Sequence, residues 1–281
     1  MGRITSTSLG FLVGAVGSLV WVGGCLFRRQ VAAEIAELKS EAAAAPAKTF
    51  HYADLEGQPE PVQRYFKYAL ADGQEVIRYA RLTQEGEIRM NPRLPWLRVQ
   101  AEQHFTTARP GFIWVARASL TPVLWFDGRD MYFRGEGHML IKLATAVPVV
   151  DAQGPEMNVS ALLRFLSEAP WFPTALLPSD YLCWEAIDDR SALAIISDGG
   201  TTASGVFEFD AEGRIVKFSS EERYREVGGR YERAKWSTYG WDYHDLVPGV
   251  KIPVQADAEW NLPEGDLPYF RGRVTDIQYM I

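Results

Sequence analysis

The sequence predicts a mainly β protein: a curved antiparallel meander, either a half-barrel or a barrel, that encloses a central helix and follows an N-terminal transmembrane helix. Three observations predict this fold. Beyond residue 75, apolar and polar residues alternate in segments of strand length. Tight-turn residues separate these segments. A proline-bounded apolar helix interrupts the strands, and such a helix usually packs against the sheet that its neighbours form.

Residues 1–29 are predicted to anchor the chain in a membrane. The nineteen residues from Leu9 to Phe27 carry no charge, and Arg28 and Arg29 follow them directly. Because about 20 apolar residues span a bilayer, we expect one transmembrane helix, with the lipid bilayer as its partner. An alternative stays open, since Val22-Gly23-Gly24-Cys25 loosely resembles a lipoprotein cleavage box that would lead to lipidation of Cys25.

The flanking charges leave the orientation of this anchor open. Arg3 and the amino terminus lie on one side, whereas Arg28, Arg29 and Lys39 lie on the other. The positive-inside rule therefore leans towards a cytoplasmic main domain. Short-tailed anchors with a large C-terminal domain, however, often export that domain. We expect a single-pass plasma-membrane protein with its main domain outside the cytoplasm, and the cytoplasmic alternative stays open.

Residues 30–50 are predicted to form a helical stalk and a linker. This segment is rich in alanine, glutamate and lysine, which favour a helix, and Pro46 ends it. Val31, Ile35 and Leu38 recur on one face of the helix. This apolar stripe is either a docking face for the following domain, which we favour, or a seam for self-association.

Residues 51–281 are predicted to form a single β-rich domain. A short helix over residues 59–71 opens it, with prolines at its start. The period then changes from 3.6 to 2, most clearly in residues 97–105 and 252–260, where apolar and polar residues alternate. The turn signals are Pro110-Gly111, Asp127-Gly128, Asp198 to Gly200, Asp210 to Gly213, Gly228-Gly229, Pro248-Gly249 and Pro263 to Asp266. A meander of this length must curl into a barrel or half-barrel.

The central helix lies within residues 158–180. Asn158 is a suitable N-cap, an apolar face follows it, and Pro170 ends the helix. The next residues form an apolar loop held by further prolines, which we interpret as a lid over a ligand. The apolar residues of the helix and loop are Val159, Leu162, Leu163, Leu166, Trp171, Phe172, Leu176 and Leu177.

Two charges of this helix lie one turn apart, where Arg164 can pair with Glu168. Arg223, on a later strand, is a candidate third member. A buried ion pair costs several kcal/mol of desolvation unless it is well hydrogen-bonded. The group is therefore either a structural lock between helix and sheet or a polar anchor for a ligand head group. The predicted ligand-binding residues are Arg164, Leu166, Glu168, Trp171, Phe172, Leu176 and Arg223.

Signatures of catalysis are missing from the sequence, which has no nucleophile elbow, phosphate loop, dinucleotide glycine pattern, HExxH or CxxC. Asp242 and His244 would share a strand face, but acidic residues near a strand end are usual for solvation. We predict no catalytic residues, no metal and no cofactor. The net charge of −7 argues against a nucleic-acid surface. Cys183, between Leu182 and Trp184, is interpreted as a small buried hydrophobe.

Several segments resemble one uncharacterised bacterial family of membrane-anchored proteins of unknown function. They are RFLSEAPWFPTALLP from Arg164 to Pro178, Trp184 with Asp188-Asp189, Phe207 to Asp210, and Arg223-Tyr224-Arg225. The likeness covers about residues 58–281 and implies a bacterial inner-membrane protein without assigning catalytic residues. More remotely, the layout resembles the half-barrels of lipoprotein carriers, in which an apolar groove holds acyl chains. That second resemblance implies a hydrophobic ligand.

The favoured function is a non-catalytic, membrane-anchored binding module for a lipid or another hydrophobic molecule. Burying a sixteen-carbon chain would contribute roughly 12 kcal/mol at ~0.8 kcal/mol per methylene, which is ample if a groove exists. The alternative is a structural or accessory subunit that docks on a membrane protein partner. The GxxxG formed by Gly10 and Gly14 is compatible with that alternative.

Overall fold

The structure, a computed structural model, describes residues 6–281 except residues 90 and 92, and it describes only the backbone of residues 6–16 and residue 19. The described residues form three α-helices: α1 (Ser6–Ala44), α2 (Glu60–Ala69) and α3 (Pro155–Glu168). They also form fifteen strands: β1 (Tyr79–Ile88), β2 (Leu97–Thr106), β3 (Gly111–Thr121), β4 (Leu124–Phe133), β5 (Glu136–Leu143), β6 (Val147–Gln153), β7 (Leu182–Ala186), β8 (Ser191–Asp198), β9 (Thr201–Phe209), β10 (Ile215–Ser220), β11 (Tyr224–Val227), β12 (Arg230–Arg233), β13 (Lys235–Val247), β14 (Val250–Leu262) and β15 (Gly265–Met280).

Thirteen of these strands form one antiparallel sheet in the order β6-β5-β4-β3-β2-β1-β15-β14-β13-β10-β9-β8-β7. The last strand, β15, pairs with the first, β1, so the two ends of the domain meet in the middle of the sheet. Strands β11 and β12 form a separate hairpin. Within the described residues the edge strands β6 and β7 are not paired with each other. The prediction of a mainly β antiparallel fold is confirmed, and the sheet is a curved half-barrel instead of a closed barrel.

Contacts between turns hold the two sides of the half-barrel together. The β4–β5 turn meets the β8–β9 turn so closely that a Cβ added to Gly135 would lie 2.7 Å from the Cα of Gly199. Both glycines have positive φ, a conformation that other residues rarely adopt. Beside them, Arg109 donates to the carboxylate of Asp198 at 2.7 Å. The sheet therefore curves until its turns touch, without joining its edges.

Helix α3 fills part of the concave face between the two sides of the sheet. Its apolar residues Leu162, Leu163 and Leu166 are fully buried. A glycine on β5 permits the close packing, because a Cβ added to Gly137 would lie 2.5 Å from the carbonyl oxygen of Met157. The predicted central helix is thus the element around which the sheet curves.

The start of this helix differs from the prediction. The helix begins at Pro155, and Gly154, with φ 114°, precedes it as the N-cap residue. Proline suits the first helical turn because its missing N–H has no partner there. Asn158 is therefore inside the helix, and its side-chain oxygen accepts a hydrogen bond from the backbone N–H of Gly137 at 2.8 Å. The helix ends at Glu168, before Pro170, as predicted.

Helix α1 packs against the convex face of the sheet. Phe27, Val31 and Leu38 are buried there, together with Ile113 and Phe133 of the strands below. Arg129 of β4 adds a charge contact, with its Nε 3.4 Å from a carboxylate oxygen of Glu34. This packing confirms the docking alternative for the apolar stripe of the stalk.

Among the helices that the structure describes, none combines the length and the apolar character needed to cross a bilayer. Much of the predicted transmembrane run Leu9–Phe27 lies outside the residues whose side chains are described.

Two other local predictions are wrong. Asp127-Gly128 is not a turn but part of β4, where Asp127 accepts a hydrogen bond from Arg117 at 2.8 Å and Gly128 pairs with Ala116 of β3. Cys183 is exposed instead of buried. It lies on the edge strand β7, where the two-residue period turns its neighbours Leu182 and Trp184 inward and turns Cys183 outward.

Replacing Gly137 by alanine should destabilise the fold, because the added methyl group would collide with the backbone of α3. We expect a loss of about 1–3 kcal/mol in the free energy of unfolding, measured by urea titration of the full chain with tryptophan fluorescence. The matched control is Gly128→Ala on the adjacent strand. A Cβ at Gly128 meets no atom closer than 3.8 Å, so this variant should be as stable as the wild type or slightly more stable. Equal losses in both variants would contradict this packing.

Candidate functional site

The concave face contains a cavity of about 340 Å³ beside α3. Its walls come from β2–β6 on one side and β13–β15 on the other, and most of its lining is apolar. The apolar lining includes Val99, Trp114, Ala116, Ala118, Phe126, Met139, Ile141, Trp260 and Phe270. Ligand pockets in proteins typically have volumes of about 300–1,000 Å³ and a mainly apolar lining with a few polar groups.

Small residues in consecutive cross-strand rows create this space. Ala101, Ala116 and Gly128 face the interior in one row of β2, β3 and β4, and Val99 and Ala118 lie in the next. Next to them, on the side of α3, the corresponding row holds the larger Gln103, Trp114 and Asp130. Large side chains therefore fill the interior where α3 covers the sheet, and the cavity lies over the rows that contain Ala116, Ala118 and Gly128.

A cluster of buried charges lies at this boundary. Arg164 of α3 donates from Nη1 to Asp130 of β4 at 2.5 Å and from Nε to Glu168 at 2.9 Å. Gln103 of β2 donates to the other carboxylate oxygen of Glu168 at 2.7 Å. The guanidinium carbon of Arg164 also lies 4.8 Å from the ring centroid of Trp114. These contacts tie the helix to the sheet, so Arg164 and Glu168 form the structural lock that was one of the two predicted alternatives.

Two opposing effects act on the pKa of Glu168. Burial raises the pKa of the Glu168 carboxyl above its ordinary value, and the charge of Arg164 and the hydrogen bonds from Arg164 and Gln103 oppose this shift.

Arg223 lines the same cavity but has a different environment. This residue follows β10 in the chain and is only 9% exposed. Its guanidinium stacks on Trp236, with 3.8 Å between the guanidinium carbon and the ring centroid. Its Nε and Nη1 are buried without a hydrogen-bond partner, and Arg223 forms no ion pair with another described residue. Burial lowers the pKa of Arg223, and so does the nearby charge of Arg164, whereas Tyr269, Asp130 and Glu168 oppose this shift.

The other predicted ligand-binding residues are not at this cavity. Leu166, Phe172 and Leu176 are buried in the main hydrophobic core. Trp171 donates from its indole N–H to the carbonyl of Pro253 at 3.0 Å and, with Glu168, lines a smaller pocket of about 60 Å³. The loop interpreted as a lid is thus packed into the interior and does not cover the cavity. Its role in ligand binding stays a prediction.

Sequence reasoning missed two members of the charged cluster. The turn predicted at Asp127-Gly128 hides Asp130, because a residue that follows a turn gives no sign of facing the interior of a sheet. Gln103 was detectable, since it is a polar residue in the apolar phase of an alternating strand. Its partner Glu168 is 65 positions away and was not detectable from the pattern.

Within the described part of the chain, no cluster of three or more histidine, cysteine, aspartate or glutamate residues could hold a metal ion. His244 contacts the carboxylate of Asp242 at 2.9 Å, and both side chains are exposed.

Comparison with known proteins identifies a family and several distant structures. The model of DUF6544, a family of unknown function, matches residues 48–272. This match confirms the predicted resemblance to a family of unknown function. No curated protein matches the sequence.

Three solved structures share the general layout. A domain from Vibrio parahaemolyticus, described as that of an outer membrane lipoprotein-sorting protein, has 10% identity and a TM-score of 0.42 over 82% of this chain and 92% of its own. A DUF1329 family protein from Desulfovibrio piger has 10% identity and a TM-score of 0.33 over 79% and 91%. A beta-barrel-like DUF1849 protein from Brucella abortus has 9% identity and a TM-score of 0.24 over 73% and 99%. Likeness at this level establishes neither ligand nor activity.

Arg164 and Arg223 should respond differently to replacement by methionine, which keeps the apolar length of the side chain. Arg164→Met leaves Asp130 and Glu168 buried without their cation, so we expect a loss of about 3–5 kcal/mol in the free energy of unfolding. Arg223→Met removes a buried charge that has no partner and should leave stability unchanged or raise it. Urea unfolding of both full-length variants measures the difference. Similar losses would show that Arg223 has a counter-charge that its surroundings do not reveal.

Proposed function

We propose that this chain, which belongs to the DUF6544 family of unknown function, is a binding module that holds one hydrophobic ligand in the cavity on its concave face. The observation that carries the proposal is the cavity itself. It has a volume of about 340 Å³ and an apolar wall, next to an interior that is otherwise packed with large side chains. An apolar ligand would gain free energy from leaving water at ~0.8 kcal/mol per buried methylene.

The shape of the lining favours a slender ligand. Ala116, Ala118 and Gly128 form a strip of small residues along β3 and β4, with Phe126 and Ile141 beside it. A single aliphatic chain can lie along such a strip and contact side chains on both walls. Among the polar residues of the lining, Arg223 lies next to α3 without an ion-pair partner and would orient the ligand.

Membrane anchoring through α1 is a further part of the proposal. The uncharged run from Leu9 to Phe27 supports it, and so do three large apolar side chains of α1 that are exposed to solvent: Trp21, Val22 and Leu26. We assign the chain to the bacterial inner membrane with its main domain outside the cytoplasm. Insertion of this segment would remove those apolar surfaces from water.

Filling the cavity should displace the ligand without harming the fold. Ala118→Phe places a ring in the cavity, whereas Ser119→Phe places the same ring on the next residue, which faces the opposite, exposed side of β3. We expect native mass spectrometry of the full chain, transferred from bacterial membranes into nanodiscs, to detect a stoichiometric hydrophobic molecule in the wild type and in Ser119→Phe. Ala118→Phe should lack it.

Two results would contradict the proposal. Retention of the molecule by a folded Ala118→Phe variant would exclude this cavity as its site. A wild-type chain that carries no such molecule, even after incubation with a total bacterial lipid extract, would exclude the binding function and favour a role as an accessory subunit.

A further inference from the structure

One charge on the cavity wall has no partner. Arg223 is more than nine-tenths buried, and its Nε and Nη1 make no hydrogen bond. A guanidinium without an ion-pair partner is costly to bury, since it loses its hydration and no hydrogen-bonded anion replaces it. Two rings compensate in part, because the guanidinium carbon lies 3.8 Å from the centroid of Trp236 and 5.7 Å from that of Trp260.

The neighbouring acidic groups pair with a different cation. Asp130 and Glu168 both accept hydrogen bonds from Arg164, and Glu168 also accepts one from Gln103. The second oxygen of Asp130 is buried without a hydrogen-bond partner, but neither carboxylate forms an ion pair with Arg223. Arg223 is left facing an apolar space that is large enough for a ligand.

We propose that the ligand in this cavity is a single-chain amphiphile with one anionic head group, a carboxylate or a phosphate, and that Arg223 binds this head group. This inference rests on the proposed function and names its ligand class. The planar guanidinium matches both groups, because its N–H donors can bond to two oxygens at once. The stacking rings hold the guanidinium in place, and the chain then lies along Ala116, Ala118 and Phe126.

Brominated amphiphiles test the head group, because bromine quenches tryptophan fluorescence on contact and Trp114, Trp236 and Trp260 line the cavity. The full chain in nanodiscs of zwitterionic phospholipid is titrated with a dibrominated long-chain fatty acid, the alkyl phosphate with the same tail, and the corresponding alcohol. The quenching measured in the Ala118→Phe variant, whose cavity is filled, is the background that arises outside the cavity.

We expect at least one anionic probe to bind about tenfold or more tightly than the alcohol. Comparison of the acid with the phosphate then distinguishes the two sources of the anionic group. Arg223→Met should bind the alcohol as the wild type does and lose the preference for the anion, Arg223→Lys should keep part of it, and the exposed Arg233→Met on the β11–β12 hairpin should keep all of it.

The outcomes separate the head-group assignment from the cavity proposal. Equal binding of acid, phosphate and alcohol by the wild type, or an anion preference that survives in Arg223→Met, would overturn the assignment and leave the apolar cavity as a binding site. Failure of all three probes to quench the wild type beyond the Ala118→Phe background would overturn both.

Exposed apolar residues are concentrated at one end of the sheet. The antiparallel order places the β1–β2, β3–β4 and β5–β6 connections at the same end, which we call the upper rim. Apolar side chains in these connections or in the strand residues beside them are 44–81% exposed: Leu94, Leu120, Val123, Val147 and Val149. Exposed apolar side chains concentrated in one place mark an interaction surface.

Helix α1 leads to this rim. Its residues Leu38 and Phe27 pack progressively closer to it, and a Cβ added to Gly23 would lie 3.0 Å from the carbonyl oxygen of Thr145 in the β5–β6 turn. The helix continues without interruption to Ser6, so its uncharged run extends beyond the rim. Exposed arginines at the same level, Arg28 and Arg93, suit the anionic surface of a bilayer.

The geometry points to a lipid bilayer as the partner of the upper rim, with the tips of the three connections inserted among the lipids. The cavity lining reaches the same rim through Asn91, Leu97 and Val149. A ligand would therefore pass between membrane and cavity without crossing water. The β14–β15 turn carries Glu264 and Asp266, so the contact is made by the β1–β6 part of the sheet.

Insertion is measured by labelling single cysteines with an environment-sensitive fluorophore in the full chain, in a Cys25→Ser, Cys183→Ser background. The labelled variants are Val123→Cys and Val147→Cys at the rim and Ile187→Cys on the exposed β7–β8 turn at the other end of the sheet. In proteoliposomes with nitroxide-labelled acyl chains, we expect strong quenching at the two rim positions and none at Ile187→Cys. Rim labels that resemble the Ile187→Cys label, quenched by a water-soluble agent and not by the lipid, would overturn the proposal.

Discussion

The ion pairs of Arg164 are the interaction on which the rest of the interior depends. Through Asp130 and Glu168 they fix α3 at one position on the concave face. On one side of this lock, aromatic residues such as Phe105 and Phe112 fill the space between helix and sheet. On the other side the sheet continues without a helix above it, and Ala116, Ala118 and Gly128 leave space between the larger residues of the lining. The cavity begins where the lock ends, because a single short helix cannot cover a sheet of thirteen strands.

Two arginines of the cavity wall show how the surroundings of a side chain differ within one site. Arg164 pairs with two carboxylates and ties α3 to the sheet, whereas Arg223 stacks on two indole rings and forms no ion pair with another described residue. A buried charge without an ion-pair partner reduces stability. For this reason we propose Arg223, and not Arg164, as the group that binds a ligand.

The convex face is organised by the other long helix. By packing on β1–β5, α1 shields apolar residues such as Ile113 that would otherwise face water. The N-terminal part of α1 leaves the sheet at the upper rim, which is also where the cavity lining ends. The N-terminal part of α1, the exposed apolar residues of the upper rim and the end of the cavity lining thus lie at one end of the molecule, although they are far apart in the sequence.

What the sequence by itself determined is local. The two-residue period of residues 97–105 predicts a strand, the apolar stripe of Val31 and Leu38 predicts a docked helix, and the one-turn spacing of Arg164 and Glu168 predicts their pairing. The tertiary structure decided which residues of different elements meet. Asp130 pairs with Arg164, 34 positions away, and Arg223 has no ion-pair partner. Cys183 faces solvent because β7 is an edge strand. Periodicity records contacts within a helix or strand, whereas register and curvature, which depend on the whole sheet, choose the partners between them.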